Sequence, residues 1–554
     1  MMKLSGAEII IQLLERQGVK MITGIPGGTN LPLYHALSQS NIRHILARHE
    51  QGAGYIAHGM ARSTGRAAVC FATSGPGVTN LITAIADAHL DSVPIIAITG
   101  QVATSSMGTD AFQEVDTYGI TLPIVKHNYL IKSASELLKI IPEAFLIAES
   151  GRPGPVVIDV PKNVQTETIE FEIWPEKCPK PVTPEVNRSS IKKMAKMIEE
   201  AQRPVIYFGG GVIHSGASSV LLSVSERNSL PAVSTLNGLG VFPTSHPLFL
   251  EMLGMHGTRV TNLVINQADL IIAIGTRFDD RATGNIQKFC NQAKIIHVDI
   301  DAAEINKLKK SDLAITGDVK NILQHLFPVI SEKKRSEWLD FIAHINKTHP
   351  FHALDCPDPF QPNQLIKKIG AMVSPDTIIT TDVGQHQMWV AQSYPFQLPR
   401  TLLTSGGLGT MGFGLPAAIG AALAHPGKKI ICFSGDGSIL MNIQELATLA
   451  ELDLDVTILI INNGHLGLVR QQQELFYNQT YIASKFSLNP DFTAIARGFG
   501  VQSINLARSA DPETHLAEVL KKRGPWLVSI PIDPFANVLP MVPPGAGITE
   551  MVGG

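Results

Sequence analysis

The sequence predicts an α/β protein made of three doubly wound domains, each with a parallel sheet. Apolar, strand-like runs alternate with helical patterns from end to end, which is typical of parallel strands joined by crossover helices. The chain has 554 residues, enough for about three domains of roughly 150–200 residues each. Two polar, proline-containing stretches, 166–190 and 348–364, divide it. The predicted domains are therefore residues 1–165, 190–330 and 365–554.

Composition and charge exclude several classes of protein. Hydrophobic residues make up 44% and charged residues 17% of the chain, and the net charge is −3 with both signs mixed along it. This balance indicates neither a nucleic-acid-binding surface nor a membrane-binding patch. The sequence has no run of about 18 uninterrupted apolar residues, so it predicts no membrane-spanning helix. The five cysteines are widely separated and form no Cys-x-x-Cys pair, so neither a disulfide framework nor a zinc site is indicated.

The first residues predict a helix and not a signal peptide. Glu8, Gln12 and Glu15 interrupt the apolar run that a signal peptide would need. Ser5 and Glu8 have the spacing of a helix capping box, and Gly18 follows where the helix should end. Together with cysteines that suit a reducing compartment, this start predicts a cytoplasmic protein.

Two strand ends in the third domain carry oxygen ligands for a metal ion. The segment "KKIICFSGDGS" indicates a strand that ends at Asp436, and "DVTILIINNGHLG" indicates the next strand, ending near Asn463. Parallel strand ends lie side by side, so the two side chains can meet although they are far apart in sequence. A carboxylate and an amide oxygen suit Mg²⁺ bound together with phosphate oxygens, and the glycines let backbone amides approach a phosphate. "GDGS" alone is most often a plain turn; the second element favours a diphosphate site.

This pair of elements resembles the diphosphate-binding motif of thiamine-diphosphate enzymes. The resemblance implies that Asp436 and Asn463 bind Mg²⁺ through their side chains and His465 through its carbonyl oxygen. It also implies a carboxylate that hydrogen-bonds the cofactor's aminopyrimidine ring, and Glu50 in "RHEQGA" is the candidate. On its own, an acid at a helix start is usually only a favourable partner of the helix dipole. In this family the two acids come from different subunits, which implies at least a homodimer.

Further motifs narrow the resemblance. "TGIPGG", "TSGPGVTNL", "GTDAFQE", "GTRFDDRATG", "GQHQMW", "TSGGLGTMGFGLPAAIGA" and "PMVPPGAG" occur in order over nearly the whole chain and resemble the catalytic large subunit of acetohydroxyacid synthase (acetolactate synthase). The implied reaction decarboxylates pyruvate and joins the two-carbon fragment to pyruvate or 2-oxobutyrate. The products are 2-acetolactate or 2-aceto-2-hydroxybutyrate, the first common step of branched-chain amino-acid biosynthesis. A homodimer or homotetramer with a small regulatory subunit is implied as well.

The resemblance assigns roles to further residues. The residues expected to hold the diphosphate are Gln385, His386, Gly437 and Ser438. Gly409 and Met411 are expected to bind the aminopyrimidine, with Met411 also bending the cofactor. Those expected around the reacting centre are the catalytic candidates Phe112, Gln113 and Gly27 together with Glu50 and Met411.

Two residues are expected to contact the second substrate. Arg281, in "RFDDR", is expected to bind the carboxylate of the second oxoacid, although such a charged cluster is otherwise typical of a solvated surface. Gln472 departs from the family pattern, because many members have Trp there, associated with a preference for 2-oxobutyrate. That preference is therefore in doubt for this chain.

The middle domain is expected to bind FAD. Its "FGGG" (208–211) is only a weak phosphate-loop signal, so the expectation comes from the resemblance alone. The residues implied are Arg152, Gly210, Gly211, Thr235, Leu236, Met255, Arg277, Asp299 and Asp318.

Three alternatives share parts of this pattern. A pyruvate oxidase has the same fold and both cofactors but passes electrons to oxygen or a quinone. A catabolic acetolactate synthase makes one of the same products without FAD. A relative kept only for assembly would not need Glu50, Asp436 and Asn463, all of which this chain retains.

Overall fold

Three six-stranded parallel sheets organise the chain in a computed structural model, which describes residues 1–179, 185–351 and 358–553. The parts of the two predicted linkers at 180–184 and 352–357 lie outside the described residues. Each sheet is flanked by helices, so the predicted α/β class with three parallel sheets is confirmed. Among the described residues, no helix combines the length and the apolar character needed to cross a bilayer.

The first domain has a sheet in the order β3-β2-β4-β5-β7-β6, with a separate antiparallel pair, β1 and β8. Its strands are β1 (Met2–Ser5), β2 (Met21–Gly24), β3 (Arg43–Leu46), β4 (Ala68–Ala72), β5 (Ile95–Gln101), β6 (His127–Leu130), β7 (Val156–Pro161) and β8 (Thr168–Phe171). Its helices are α1 (Gly6–Gln17), α2 (Leu31–Leu37), α3 (Glu50–Thr64), α4 (Pro76–Leu90), α5 (Thr117–Thr121), α6 (Ala134–Glu149) and α7 (Lys162–Thr166).

The middle domain has a sheet in the order β11-β10-β9-β12-β13-β14. Its strands are β9 (Pro204–Phe208), β10 (Ala232–Ser234), β11 (Phe249–Met252), β12 (Leu270–Ile274), β13 (Lys294–Asp299) and β14 (Leu313–Thr316). Its helices are α8 (Arg188–Glu200), α9 (Gly210–Ser215), α10 (Ser218–Arg227), α11 (Arg259–Asn266), α12 (Asp280–Thr283), α13 (Val319–Leu326) and α14 (Ser336–Thr348).

The third domain has a sheet in the order β16-β15-β17-β18-β20-β19. Its strands are β15 (Ile378–Thr381), β16 (Leu402–Thr404), β17 (Ile430–Gly435), β18 (Val456–Asn462), β19 (Gln502–Asn505) and β20 (Trp526–Pro531). Its helices are α15 (Pro362–Met372), α16 (Gln385–Ser393), α17 (Gly414–Ala424), α18 (Asp436–Ile439), α19 (Glu445–Glu451), α20 (Gly467–Phe476), α21 (Phe492–Gly498) and α22 (Pro512–Lys521). Short 3-10 helices lie at Thr104–Ser106, Leu122–Ile124, Leu236–Gly238 and Leu506–Arg508.

The chain start folds as the sequence predicts. Ser5 accepts a hydrogen bond from the Glu8 backbone, and the Glu8 carboxylate accepts one from the Ser5 N–H at 2.7 Å, so the capping box is confirmed. Gly18 ends α1 in the left-handed conformation (φ 88°). The structure differs from the sequence prediction in part of the first linker. Residues of this linker form β8, which pairs with β1, because Ile169 and Phe171 pack against the core of the first domain.

Helix α3 of the first domain packs tightly on α17 of the third. A Cβ added to Gly59 would lie 2.2 Å from the Ala417 carbonyl oxygen, and one added to Gly420 would lie 2.0 Å from the Ile56 carbonyl oxygen. Ten of the eleven residues of α17 are buried, as expected of a helix that is apolar on all sides. The apolar side chains of the two domains therefore form one continuous core.

Gly420→Ala should destabilise the protein because its methyl group has no room against the Ile56 carbonyl. Overpacking of this kind costs about 1–3 kcal/mol. Differential scanning calorimetry should show a thermal midpoint lowered by several degrees. Gly498→Ala is the matched control, because that helical glycine has nothing within 4 Å of an added Cβ and tolerates the methyl group. Equal midpoints for Gly420→Ala and Gly498→Ala would contradict the tight helix contact.

Candidate active site

The two strand ends singled out in the third domain do lie together. β17 and β18 are parallel neighbours, with Gly435 opposite Ile461. Asp436 follows β17 directly, and its Oδ2 accepts a hydrogen bond of 2.7 Å from the backbone N–H of Gly464 in the loop after β18. Asp436 is only 2% exposed, and no ion pair within the described residues balances its charge. Burial accordingly raises the pKa of the Asp436 carboxyl to about 6.

Asn463 is the second oxygen ligand at this edge. It is buried, its Oδ1 accepts a hydrogen bond of 3.0 Å from the His465 N–H, and its Nδ2 donates to Gln385 Oε1 at 3.0 Å. The His465 ring Nδ1 lies 2.8 Å from the Asn463 carbonyl oxygen, so the imidazole is already engaged by the backbone. Two buried oxygen-bearing side chains and no thiolate form a donor set that fits a hard cation such as Mg²⁺.

A buried cradle for an anion lies beside this pair. His386 is buried, and its Nε2 has no hydrogen-bond partner within the described residues. Burial lowers the pKa of the His386 imidazole to about 3, so the ring is neutral and can donate one hydrogen bond. Ser438 donates its hydroxyl to the Val383 carbonyl oxygen at 2.7 Å, and Gly437 N–H lies 3.1 Å from Asp436 Oδ1. In the tautomer that carries its proton on Nε2, this unpartnered nitrogen can donate to a phosphate oxygen.

Asp382, which the sequence analysis did not single out, joins this cradle to a neighbouring loop. It directly follows β15, is fully buried, and accepts hydrogen bonds from Gly412 N–H at 2.7 Å, Val383 N–H at 3.2 Å and Ser434 Oγ at 3.0 Å. Burial raises the pKa of its carboxyl to about 6. Asp382 therefore holds together the end of its own strand, the Gly412 loop and the end of β17. Its position at a predicted strand end, in "TTDVGQ", is the sequence signal that could have identified it.

The loop that leads from β16 to α17 carries Gly409 and Met411. Gly409 adopts φ 72°, and an added Cβ there would have nothing within 4 Å, so this part of the loop faces open space. Gly412, one residue beyond Met411, is fixed by its hydrogen bond to Asp382. The loop is therefore open on one side and tied down at its end.

The candidates from the first domain gather around one turn, residues 73–77. Glu50 begins α3 and accepts a hydrogen bond of 3.0 Å from Asn80 Nδ2; its Oε1 lies 3.6 Å from the position of a Cβ on Gly77. A Cβ on Gly27 would lie 2.6 Å from Thr73, and one on Gly75 would lie 2.9 Å from Gln113. These contacts bring Glu50, Gly27 and Gln113 to the carboxyl edge of the first sheet.

Phe112, beside Gln113, is 87% exposed in this chain. The loop that carries both residues is tied to the sheet by a buried network, in which Gln101 donates to the Val115 carbonyl oxygen at 2.8 Å and to Asp159 at 3.0 Å. Asp159 was not found from the sequence, because a single acid inside an apolar strand gives no motif. Its burial raises the pKa of its carboxyl to about 7.

The two groups of candidates belong to different sheets of the chain. Among the described residues, no hydrogen bond or ion pair joins Glu50 or Gln113 directly to Asp436 or Asn463. The two groups form two half-sites, one at the carboxyl edge of the first sheet and one at that of the third.

A cavity of about 1750 Å³ lies where the three domains meet. Gly409, Arg281 and Gln472 line this cavity. Its lining also includes all nine residues that the sequence suggested for flavin binding, which are Arg152, Gly210, Gly211, Thr235, Leu236, Met255, Arg277, Asp299 and Asp318. Most of them follow the carboxyl ends of β9, β10, β12, β13 and β14, where doubly wound sheets bind ligands. The volume is ample for a dinucleotide.

Several cavity residues already have partners. Arg152, from the first domain, donates to Glu304 at 2.8 Å and to Ser92 Oγ at 2.9 Å, and Asp318 caps α13 through the Asn321 N–H at 2.9 Å. Arg281 keeps an exposed side chain, with its Nε 3.6 Å from Asp280 Oδ2 and its Nη1 3.2 Å from the sulfur of Met255. The pair with Asp280 is solvent-exposed, and the guanidinium has further N–H groups with which it can bind an anion from the cavity.

Comparison with known proteins gives consistent matches over the whole chain. Three family models match: the thiamine pyrophosphate enzyme N-terminal TPP binding domain at residues 4–120, the central domain at 191–326 and the C-terminal TPP binding domain at 382–530. The acetolactate synthase isozyme 1 large subunit of Escherichia coli K12 is 55% identical, over 100% of this chain and 98% of that protein. The probable acetolactate synthase large subunit of Methanocaldococcus jannaschii is 47% identical, over 99% and 95%. The acetolactate synthase large subunit of Lactococcus lactis is 44% identical, over 99% and 96%.

Proposed function

Because the chain belongs to the acetolactate synthase large-subunit family of thiamine pyrophosphate enzymes, we propose that it is itself an acetolactate synthase. The reaction decarboxylates pyruvate and joins the two-carbon fragment to a second 2-oxoacid, pyruvate or 2-oxobutyrate. The observation that carries the proposal is the buried Asp436–Asn463 pair, whose oxygen donors fit Mg²⁺ beside an anion cradle. A biosynthetic role in making branched-chain amino acids is consistent with the relatives.

The third domain supplies the metal and diphosphate ligands in this proposal. Asp436 and Asn463 bind Mg²⁺ through their side chains, and His465 binds it through its carbonyl oxygen, because its ring is held by the Asn463 backbone. The residues that hold the diphosphate are Gln385, His386, Gly437 and Ser438. In the tautomer protonated at Nε2, the neutral His386 imidazole would donate to a phosphate oxygen, and the cation would remove the cost of burying the Asp436 charge.

Thiamine diphosphate, when bound, supplies a ring carbon that adds to a 2-oxoacid carbonyl and accepts the electrons released with carbon dioxide. The protein's own part is proton transfer, positioning and exclusion of water. Glu50, whose carboxylate accepts a hydrogen bond from Asn80 at the start of α3, would exchange a proton with the aminopyrimidine ring of the bound cofactor. Met411 and Gly409 hold that ring from the opposite domain. Gln113, Phe112 and Gly27 border the reacting carbon and exclude water.

Arg281 receives the carboxylate of the second 2-oxoacid in this proposal, because its exposed side chain lines the same cavity as Gly409 and Gln472. Gln472 lines the same cavity and contacts the acceptor's alkyl group. These two residues set which second substrate is used.

FAD is proposed for the central cavity. Support comes from its volume and from the nine residues that the sequence suggested for flavin binding, all of which line it. A flavin there distinguishes this enzyme from the catabolic acetolactate synthase of the sequence analysis. The pyruvate oxidase alternative is not favoured, because the relatives compared are acetolactate synthase large subunits.

At least a homodimer is proposed, with a small regulatory subunit and a cytoplasmic location. The dimer is supported by the two half-sites, which no hydrogen bond or ion pair joins directly among the described residues, and by exposed apolar side chains beside each, Phe112 in the first domain and Met441 and Leu488 in the third. Such side chains are typical of an interface. The large-subunit names of the relatives support the regulatory partner.

The purified protein with pyruvate, thiamine diphosphate, Mg²⁺ and FAD should form 2-acetolactate without net reduction of the flavin. Acetolactate is measured after acid conversion to acetoin, and hydrogen peroxide and flavin absorbance are followed in parallel. Removal of Mg²⁺ with a chelator should abolish the activity, because Asp436 then lacks its cation. Stoichiometric hydrogen peroxide or bleached flavin, with little acetolactate, would support the oxidase instead.

The wild type should show only a weak preference between pyruvate and 2-oxobutyrate as acceptor. An apolar contact with the extra methylene is worth about 10–200-fold in discrimination, and the amide of Gln472 recovers little of it. In a competition assay with equal concentrations of both oxoacids, Gln472→Trp should raise the share of 2-aceto-2-hydroxybutyrate, provided that the ring fits. Gln472→Asn, which keeps the amide, should leave the ratio nearly unchanged. A wild-type ratio that already favours 2-oxobutyrate by roughly fifty-fold would contradict this role.

A further inference from the structure

A buried carboxylate, Asp91, lies where all three domains meet. It caps the end of α4, and its side chain is 0% exposed. Oδ2 accepts hydrogen bonds from Arg62 Nη1 and from the Gly406 N–H, both at 2.9 Å. Oδ1 accepts from the Gly407 N–H at 2.8 Å and from Asn237 Nδ2 at 3.0 Å. One acid of the first domain thus binds both the middle and the third domain.

Arg62 closes this three-domain junction. Its Nη2 donates to Asn237 Oδ1 at 2.7 Å, and its Nη1 donates to the Thr404 carbonyl oxygen at 2.8 Å. Burial alone would raise the pKa of Asp91, but the Arg62 charge and the hydrogen bond from Gly406 outweigh it and lower that pKa. Asp91 is therefore a charged acceptor, and its hydrogen bonds are of the stronger, charge-assisted kind.

The close fit extends to the loop itself. A Cβ on Gly406 would lie 2.7 Å from Asn237 Oδ1, and one on Gly407 would lie 2.8 Å from Leu90 Cβ. Behind the loop, Ser405 donates its hydroxyl to the buried Asp87 and accepts the Thr410 N–H at 2.8 Å. The exposed loop 406–409 is thus fixed from its buried side by acids of the first domain.

The partners of Asp91 lie between the two proposed cofactor positions. Asn237, Gly406 and Gly407 line the cavity proposed for FAD, and the loop that Gly406 begins continues to Gly409 and Met411, which are proposed to hold the aminopyrimidine of thiamine diphosphate. Asn237 lies in the 3-10 helix Leu236–Gly238, and the loop 406–409 is held to the same carboxylate. A cofactor that stabilises one of these segments therefore stabilises the hydrogen-bonded junction that also holds the other.

We propose that Asp91, through Asn237, couples the binding of FAD to the binding of thiamine diphosphate. Asp91 acts as a positioning residue, and the inference rests on the proposed function, which supplies both cofactors. The coupling is positive, because both cofactors favour the same arrangement of the junction. It is also reciprocal: FAD tightens thiamine diphosphate binding by the same factor as the reverse. The flavin then has a binding role in a reaction that transfers no net electrons.

The test measures both dissociation constants with and without the other cofactor. FAD binding to the apoprotein is followed by flavin fluorescence, and thiamine diphosphate binding in Mg²⁺ by titration calorimetry. In the wild type, saturating FAD should tighten thiamine diphosphate binding about five-fold or more, and the reverse factor should agree. A wild-type factor of one overturns the coupling. Failure of the wild type to bind FAD at all overturns the proposed flavin site as well, so the two failures are distinguishable.

Two variants separate the contacts. Asn237→Ala leaves Gly406 and Gly407 bound to Asp91, so thiamine diphosphate affinity without FAD should stay near wild type while the coupling factor falls toward one. Asp91→Asn should lose the coupling and also weaken thiamine diphosphate binding without FAD, on the order of ten-fold to a hundred-fold. If Asp91→Asn does not fold, Asn237→Ala alone decides the question.

The matched control is Asn228→Ala. Asn228 is a buried amide of the same domain whose Oδ1 also accepts from an arginine, Arg335 Nη2 at 2.8 Å, but it does not reach the junction. The control should keep the wild-type coupling factor. Equal coupling in Asn237→Ala and the wild type, or equal loss in Asn228→Ala and Asn237→Ala, would overturn the proposal.

Discussion

The close contact between α3 and α17 fixes both half-sites. Gly59 and Gly420 allow the two helix backbones to approach without intervening side chains. α3 begins at Glu50, and α17 begins just after the loop that carries Met411, so one helix pair sets the position of both. Phe413, at the start of α17, is buried against Tyr55, with ring centroids 5.2 Å apart. Packing of ordinary apolar residues thus determines where the chemistry-bearing residues lie.

Buried acids then fix the loops that this packing brings together. Asp382, Asp91 and Asp436 each follow a strand or helix and each accept backbone N–H groups from another loop. Asp91 also has Arg62 as a counter-ion, whereas burial raises the pKa of Asp382 and Asp436. Asp91 is therefore a charged structural anchor, whereas the proposed Mg²⁺ would supply the counter-ion that Asp436 lacks.

The sequence predicted the features that depend on local spacing. The Ser5 capping box, the parallel sheets and the meeting of Asp436 with the Asn463 loop all follow from short patterns. The Asp91 junction could not be predicted, because its partners lie in three domains and share no spacing rule. The pairing of β8 with β1 was likewise missed, because a short, charged strand next to prolines resembles a linker.

The central claim of the proposed function is that each active site combines Glu50 of one chain with Asp436 of another in at least a homodimer. Co-expression of Glu50→Gln and Asp436→Ala chains with different tags, followed by purification on both tags, gives mixed dimers with one intact and one doubly altered site. Each variant alone should be nearly inactive, Glu50→Gln by about 10²–10⁴-fold. The mixed dimer should recover about half of the wild-type acetolactate synthase activity, because one of its two symmetry-related sites is intact. Activity no higher than that of the separate variants would contradict the claim.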